Sequence, residues 1–170
     1  MAAGKFTDNT PKVKAAVAEE LKNALEQIGV QAEGDITNSI TAKGLVRSGG
    51  LRQSITHIVK DFSVHVGSAL EHAVFHEVGT GVHAENGSGR KGWWVYVEGS
   101  DSKGRTTHKT YSFEEAKKIM AILRSQGLDA HMTQGVKASH FLKEAVEGGM
   151  GQYNRILENH VGEALSKFRG

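Results

Sequence analysis

The sequence predicts an α+β protein, with helices flanking a mainly antiparallel sheet. Three observations carry this. Apolar residues recur at helical spacing near both ends of the chain and once between them. Short β-branched or aromatic runs lie in neighbouring pairs between those stretches, as hairpins require. And 21 glycines against a single proline supply the tight turns that such an order needs.

The elements follow in turn. Thr10-Pro11 reads as an N-cap with proline at the first helical position, where its missing N–H costs nothing. Val13, Ala16, Val17, Leu21, Ala24, Leu25 and Ile28 then keep helical spacing. Gly29 could end this helix, yet Ala32, Ile36 and Ile40 continue a four-residue rhythm, so a longer helix with an internal glycine fits equally well. After a turn at Ser48-Gly49-Gly50, Ile55 to Lys60 and Ser63 to Gly67 read as a hairpin around Asp61-Phe62, with Val64 and Val66 on one face. Glu71 to Val78 reads as a short helix stopped by Gly79. A polar, glycine-punctuated loop spans residues 82–92. Trp93 to Val97 is a strand by aromatic and β-branched content, and Thr106 to Tyr111 is its expected partner across a Gly99 to Gly104 turn. Ser112 to Glu115 is a capping box ahead of a helix with Ala116, Ile119, Met120 and Leu123 on one stripe, ending at Gly127. Leu128, Ala130 and Met132 alternate as a short strand. Gly148-Gly149-Met150-Gly151 is expected to bend or break the helical C-terminal part. Beyond it Tyr153, Ile156, Leu157, Val161, Ala164, Leu165 and Phe168 form a stripe broken only by His160.

Composition narrows the function. A chain of 170 residues suits one domain with an embellishment. The net charge of +2, from 21 basic and 19 acidic side chains, is too balanced for nucleic-acid binding by bulk attraction. The absence of cysteine excludes disulfides and thiolate zinc sites and suits a reducing compartment. No apolar run approaches the roughly 20 residues of a membrane span, and the N-terminus does not read as a signal peptide.

The oddest stretch is "EHAVFHEVGTGVH", Glu71 to His83. His72 and His76 stand four apart, a helical spacing that suits two imidazoles on one ion, with Glu77 and His83 nearby. The zincin order of His, Glu and a second His is not met, however, and chance neighbours are expected among nine histidines. Gly79-Thr80-Gly81 follows an apolar segment instead of leading into a helix, so it lacks the phosphate-cradle geometry. No Gly-x-Ser-x-Gly elbow stands on a strand-to-helix turn. Arg90, Lys91, Lys103, Arg105 and Lys109 cluster around Trp93 and Trp94. Adjacent strand residues face opposite sides, so one tryptophan can enter the core while the other serves a partner; tryptophan and arginine are hot-spot residue types.

In order along the chain, "SGGLRQSI" (Ser48 to Ile55), "VHVGS" (Val64 to Ser68), "HAVFHEVGTG" (His72 to Gly81) and "KASHFLKEAV" (Lys137 to Val146) resemble one family. It is the tail-completion, or neck, proteins of long-tailed bacteriophages. Gly49, Leu51, Arg52, Ser54 and Ile55 match its first motif, Ala73, Glu77, Gly79 and Thr80 its third, and Phe141 and Leu142 its last. His72 replaces the usual aromatic, and His140 stands where proline is usual. The resemblance implies a single domain, 1–170, with an insertion at about 100–133. It implies a long N-terminal helix and a C-terminal helix packed on a curved sheet. It further implies a non-enzymatic virion protein that needs no cofactor, is assembled in the host cytoplasm, and forms a six-fold ring at the neck. The head connector or stopper protein would lie on one side and the tail terminator or tail-tube protein on the other, with double-stranded DNA passing through and no membrane involved. A nearly neutral charge fits a conduit in which DNA must slide. With the basic and aromatic residues added, the candidate assembly residues are Leu51, Arg52, Glu77, Gly79, Thr80, Gly81, Arg90, Lys91, Trp93, Trp94 and Phe141. A tail terminator capping the tail tube is the alternative, and a metal-dependent enzyme using His72, His76 and Glu77 the distant one.

Overall fold

A computed structural model describes residues 8–87, 89–98 and 109–168. Its chain divides into two compact units: residues 1–70 with 141–170, and residues 71–140. Helices, two antiparallel ribbons and the long terminal helices make it α+β, as the sequence predicts. The second unit is wider than the insertion expected at about 100–133.

The first unit is built on α1 (Thr10–Ala42), which runs unbroken through Gly29. Thr10 already lies within the helix instead of capping it, and its N–H donates to Asp8 Oδ1 at 2.9 Å. A short helix α2 (Gly50–Gln53) leads into β1 (Ile55–Lys60) and β2 (Ser63–Ser68), paired from Ile55↔Ser68 to Lys60↔Ser63. The two-residue turn holds Asp61 and Phe62 at φ 49° and 56°, the left-handed pair that a tight hairpin demands. Val64 and Val66 do share a face, and they pack with Val146, Ile156 and Leu157 around buried Ile28, Ala32 and Tyr153.

The C-terminal helix α5 (Phe141–Ser166) pairs antiparallel with α1. Polar contacts mark the register: Lys43 meets Glu144, Asp35 meets Tyr153, and Glu20 meets His160 and Lys167. The break expected at Gly148 to Gly151 does not occur. Gly149 explains part of this, because a Cβ there would overlap the Tyr153 ring and crowd Asp35. The missing side chain lets Tyr153 lie along its own helix and donate to Asp35 Oδ2 at 2.8 Å. Burial, then the adjacent carboxylate, push the phenol's pKa up. Nothing in the structure requires glycine at 148 or 151.

His160, which interrupts the apolar stripe, is held by polar partners on α1: Nδ1 lies 3.0 Å from Glu20 and Nε2 2.9 Å from Gln27. His160, Lys167 and Asn23, in that order, hold the Glu20 carboxyl down at about 2.

Gly29 has an equally local reason. A Cβ there would overlap the ring of His57, which β1 lays against the helix. In that notch Nδ1 lies 2.8 Å from Glu33 and Nε2 3.1 Å from Glu26, one helical turn to either side of the glycine. The Glu33 hydrogen bond outweighs burial and raises the imidazole's pKa, with Glu26 adding to it. A raised folded-state value means the unfolded chain releases this proton first as pH rises. The stabilisation is therefore complete below the ordinary value of about 6.5 and is lost as pH climbs through the folded value. His57→Gln should flatten the urea midpoint against pH above about 6; an unchanged slope would show that His57 does not carry this dependence.

In the second unit, β3 (Trp94–Val97) pairs antiparallel with β4 (Ala130–Thr133), from Trp94↔Thr133 to Val97↔Ala130. This partner was not expected from the sequence, which pairs the strand with Thr106 to Tyr111. Of that expected partner, Tyr111 forms an antiparallel bridge with Trp93, while residues 106–108 and the expected Gly99 to Gly104 turn lie outside the described residues. α4 (Phe113–Ser125) covers the ribbon, and Ile119, Met120 and Leu123 pack around Val95, Ala116 and Ala130. The capping box forms: Ser112 Oγ accepts from the Glu115 N–H, and the Ser112 N–H donates to the Glu115 carboxylate at 2.9 Å. The Ser112 N–H and then the Ser112 hydroxyl, which also donates to that carboxylate at 2.8 Å, lower the Glu115 pKa.

Candidate functional site

The motif "HEVGTG" is the centre of a backbone clasp within the second unit. α3 (Ala73–Val78) is only six residues long and ends at Gly79, whose φ of 75° and ψ of 170° is a region essentially reserved for glycine. A helix leaves its last carbonyls without internal partners. Here each of the final three finds one: Ser139 N–H donates to His76 O at 2.8 Å, His140 N–H to Glu77 O at 3.2 Å, and Glu85 N–H to Val78 O at 3.2 Å. Beyond Gly79 the chain continues against residues 134–136. Thr80 N–H donates to Val136 O at 2.8 Å, Val82 N–H to Gln134 O at 3.0 Å, and Val136 N–H returns to Thr80 Oγ1 at 2.9 Å.

This approach is closer than any side chain permits. A Cβ on Gly81 would overlap the Gln134 carbonyl and press on the Trp94 ring, and one on Gly135 would overlap the Thr80 carbonyl. Both residues also have positive φ, 61° and 122°. Gly79 thus ends the short helix, as the sequence predicts, and Gly79-Thr80-Gly81 is pinned on both sides.

The candidate assembly residues separate into distinct places. Leu51 and Phe141 are buried in the first unit. Arg52 is exposed on α2. Gly79 and Gly81 are buried in the clasp, with Glu77 and Thr80 half-buried beside them. Trp93 and Trp94 are both half-buried and face opposite sides. Trp93 stands edge-on to Phe113 at 5.3 Å and packs on the Val95 cluster. Trp94 covers Gly81 and carries the Arg90 guanidinium 4.9 Å above its ring. Lys91 is exposed, while Lys103 and Arg105 lie outside the described residues.

His72 and His76 meet edge to face at 6.5 Å, and burial, then His72, lower the His76 pKa. Among the described residues two side-chain groups converge as metal ligands would, and neither includes His72, His76, Glu77 or His83. His140 has φ 51° and places Nε2 2.9 Å from Glu85. Proline, fixed near −65°, could not occupy that backbone, so this departure from the neck-protein pattern is structural and not a simple exchange.

Sequence reasoning passed over the apolar surface of this unit. Val74 and Phe75 are each 52% exposed, Val82 45% and Val136 43%. Val78, one turn beyond Val74 on α3, is 37% exposed. The alternation of Val74, Phe75 and Val78 with His76 and Glu77 was legible; which side faced water was not.

No protein-family model matches the chain, and no similar protein is found among curated proteins or solved structures. Among the described residues no helix is long and apolar enough to cross a membrane. What the structure defines is thus a class by architecture: an α+β chain of two units, one built on a long helical pair and one on a glycine clasp.

Proposed function

We propose that the chain is a structural protein of the phage neck, part of a ring that joins the DNA-filled head to the tail. The observation that carries the reading is the apolar row Val74, Phe75, Val78 and Val82, left exposed on the segment that also holds the family-like Glu77, Gly79 and Thr80. Several large apolar side chains exposed on one short segment mark an association surface more often than a solvated one. The clasp supports the same reading, because it holds that row on a rigid backbone and limits the entropy lost on docking. The four sequence motifs also fall on successive elements: α2 with the start of β1, then β2, then α3 with the clasp, then the start of α5.

Particles made without this protein should accumulate as full heads beside free tails of normal length, read by negative-stain electron microscopy. Tails of uncontrolled length would favour the tail-terminator alternative. Intact infectious virions would overturn both.

A further inference from the structure

We propose a divalent-cation site, of zinc type, at the end of the β3–β4 ribbon, formed by Glu98, Asp129 and His131. It is independent of the neck-protein reading. The ribbon's register creates it. Val97 pairs with Ala130, and the Glu98 N–H donates to the Asp129 carbonyl at 2.8 Å, so the two acidic residues stand directly opposite each other. Like charges in that relation destabilise a sheet. His131, two residues beyond Asp129, projects to the same face, and its ring stacks on Tyr96 at 5.4 Å. Its Nε2 lies 2.9 Å from Asp129 Oδ1 and 3.4 Å from Glu98 Oε2.

The decisive feature is the state of that nitrogen. Nε2 is inaccessible to solvent, yet it has no hydrogen-bond partner among the described residues. At 2.9 Å the shortfall is angular: the carboxylate oxygen lies off the N–H axis. An oxygen so placed is a poor acceptor, but it is well placed as a fellow ligand of an ion on the nitrogen's lone-pair axis. With metal–donor bonds of about 2.1 Å, such N–O separations subtend angles of about 90° and 110° at the ion, the second tetrahedral and the first needing a small outward shift of the exposed Asp129 side chain. One imidazole and two carboxylates suit zinc, and the third ligand's partial exposure leaves a fourth position to water. The ion would bridge the facing side chains and staple the ribbon's end.

The second convergent group, Glu20, His160 and Glu163, differs. There His160 is hydrogen-bonded through both ring nitrogens, so neither is left for an ion. It is the internal control. Zinc chloride titrated into the full chain by calorimetry should show one site per chain. His131→Gln and Asp129→Asn should each weaken it roughly tenfold or more, and His160→Gln should leave it unchanged. Asp129 is mostly exposed, so its variant should fold even if a change at His131 does not. Imidazole NMR of the unmodified chain should show the His131 ring signals moving first as zinc is added. Binding only in the millimolar range, binding untouched by both ribbon variants, or binding lost in His160→Gln instead would overturn the site.

Discussion

Gly81→Ala is expected to destabilise the second unit by about 3 kcal/mol, from a left-handed backbone penalty of about 1 kcal/mol and overpacking of about 2 kcal/mol. The overpacking cannot relax cheaply. The added methyl meets the carbonyl of Gln134, itself bonded to the Val82 N–H, and the ring of Trp94. Gly135→Ala should behave alike, because its methyl meets the Thr80 carbonyl from the other side of the clasp. Gly127 is the control. It also has positive φ, 78°, but open space where a Cβ would sit, so alanine there should cost only about 1 kcal/mol. Both tryptophans of the chain, Trp93 and Trp94, belong to this unit, so their fluorescence reads its unfolding in urea directly. Equal urea midpoints for Gly81→Ala and Gly127→Ala would show that the clasp is not under steric constraint.

The contrast between these glycines also shows what the sequence could and could not reveal. Elements specified by local pattern were legible: the Ser112–Glu115 box, the α4 stripe, and the hairpin with Val64 and Val66 on one face. Each depends on residues within a few positions. Features that depend on distant partners were not. Gly149 reads as a helix breaker until Tyr153 and Asp35 are seen to need the space above it. Trp94 to Val97 pairs with residues 130–133, more than thirty positions away, and α4 between them buries its stripe on the ribbon both strands form. The same long-range pairing sets Glu98 beside Asp129 and His131. By contrast, the histidines that are neighbours in sequence, His72 and His76, join no ligand group among the described residues. Spacing within one segment finds helical ligand pairs; a site made by strand register has no such signature. Gly79, Thr80 and Gly81 drew notice through their resemblance to a family motif, but their partners, residues 134–136, carry no comparable mark.

Phe141→Ala should cost the first unit about 3–5 kcal/mol, the range for removing a large buried aromatic. Phe141 is 1% exposed at the start of α5, at the end of the helical pair where Lys43 meets Glu144 and where α1 contributes buried Ile36 and Ile40. Its match to a family motif made it a candidate for assembly, but a side chain with no surface in the isolated chain has nothing to offer a partner without unfolding. Phe141→Leu, which conserves much of the volume, should cost less, about 1.5 kcal/mol. Phe75→Ser provides the opposite case. Phe75 is half exposed on α3, so its replacement should shift folding stability by no more than about 0.5 kcal/mol, while weakening self-association measured by sedimentation. Stability is best measured at high dilution, where any ring has dissociated and mass action adds nothing to the fold. Loss of association without loss of stability in Phe141→Ala would reverse the assignment and return that residue to the interface. The expected pattern is the converse: the aromatic that matches the family motif holds the fold, and the one that escaped notice meets the partner.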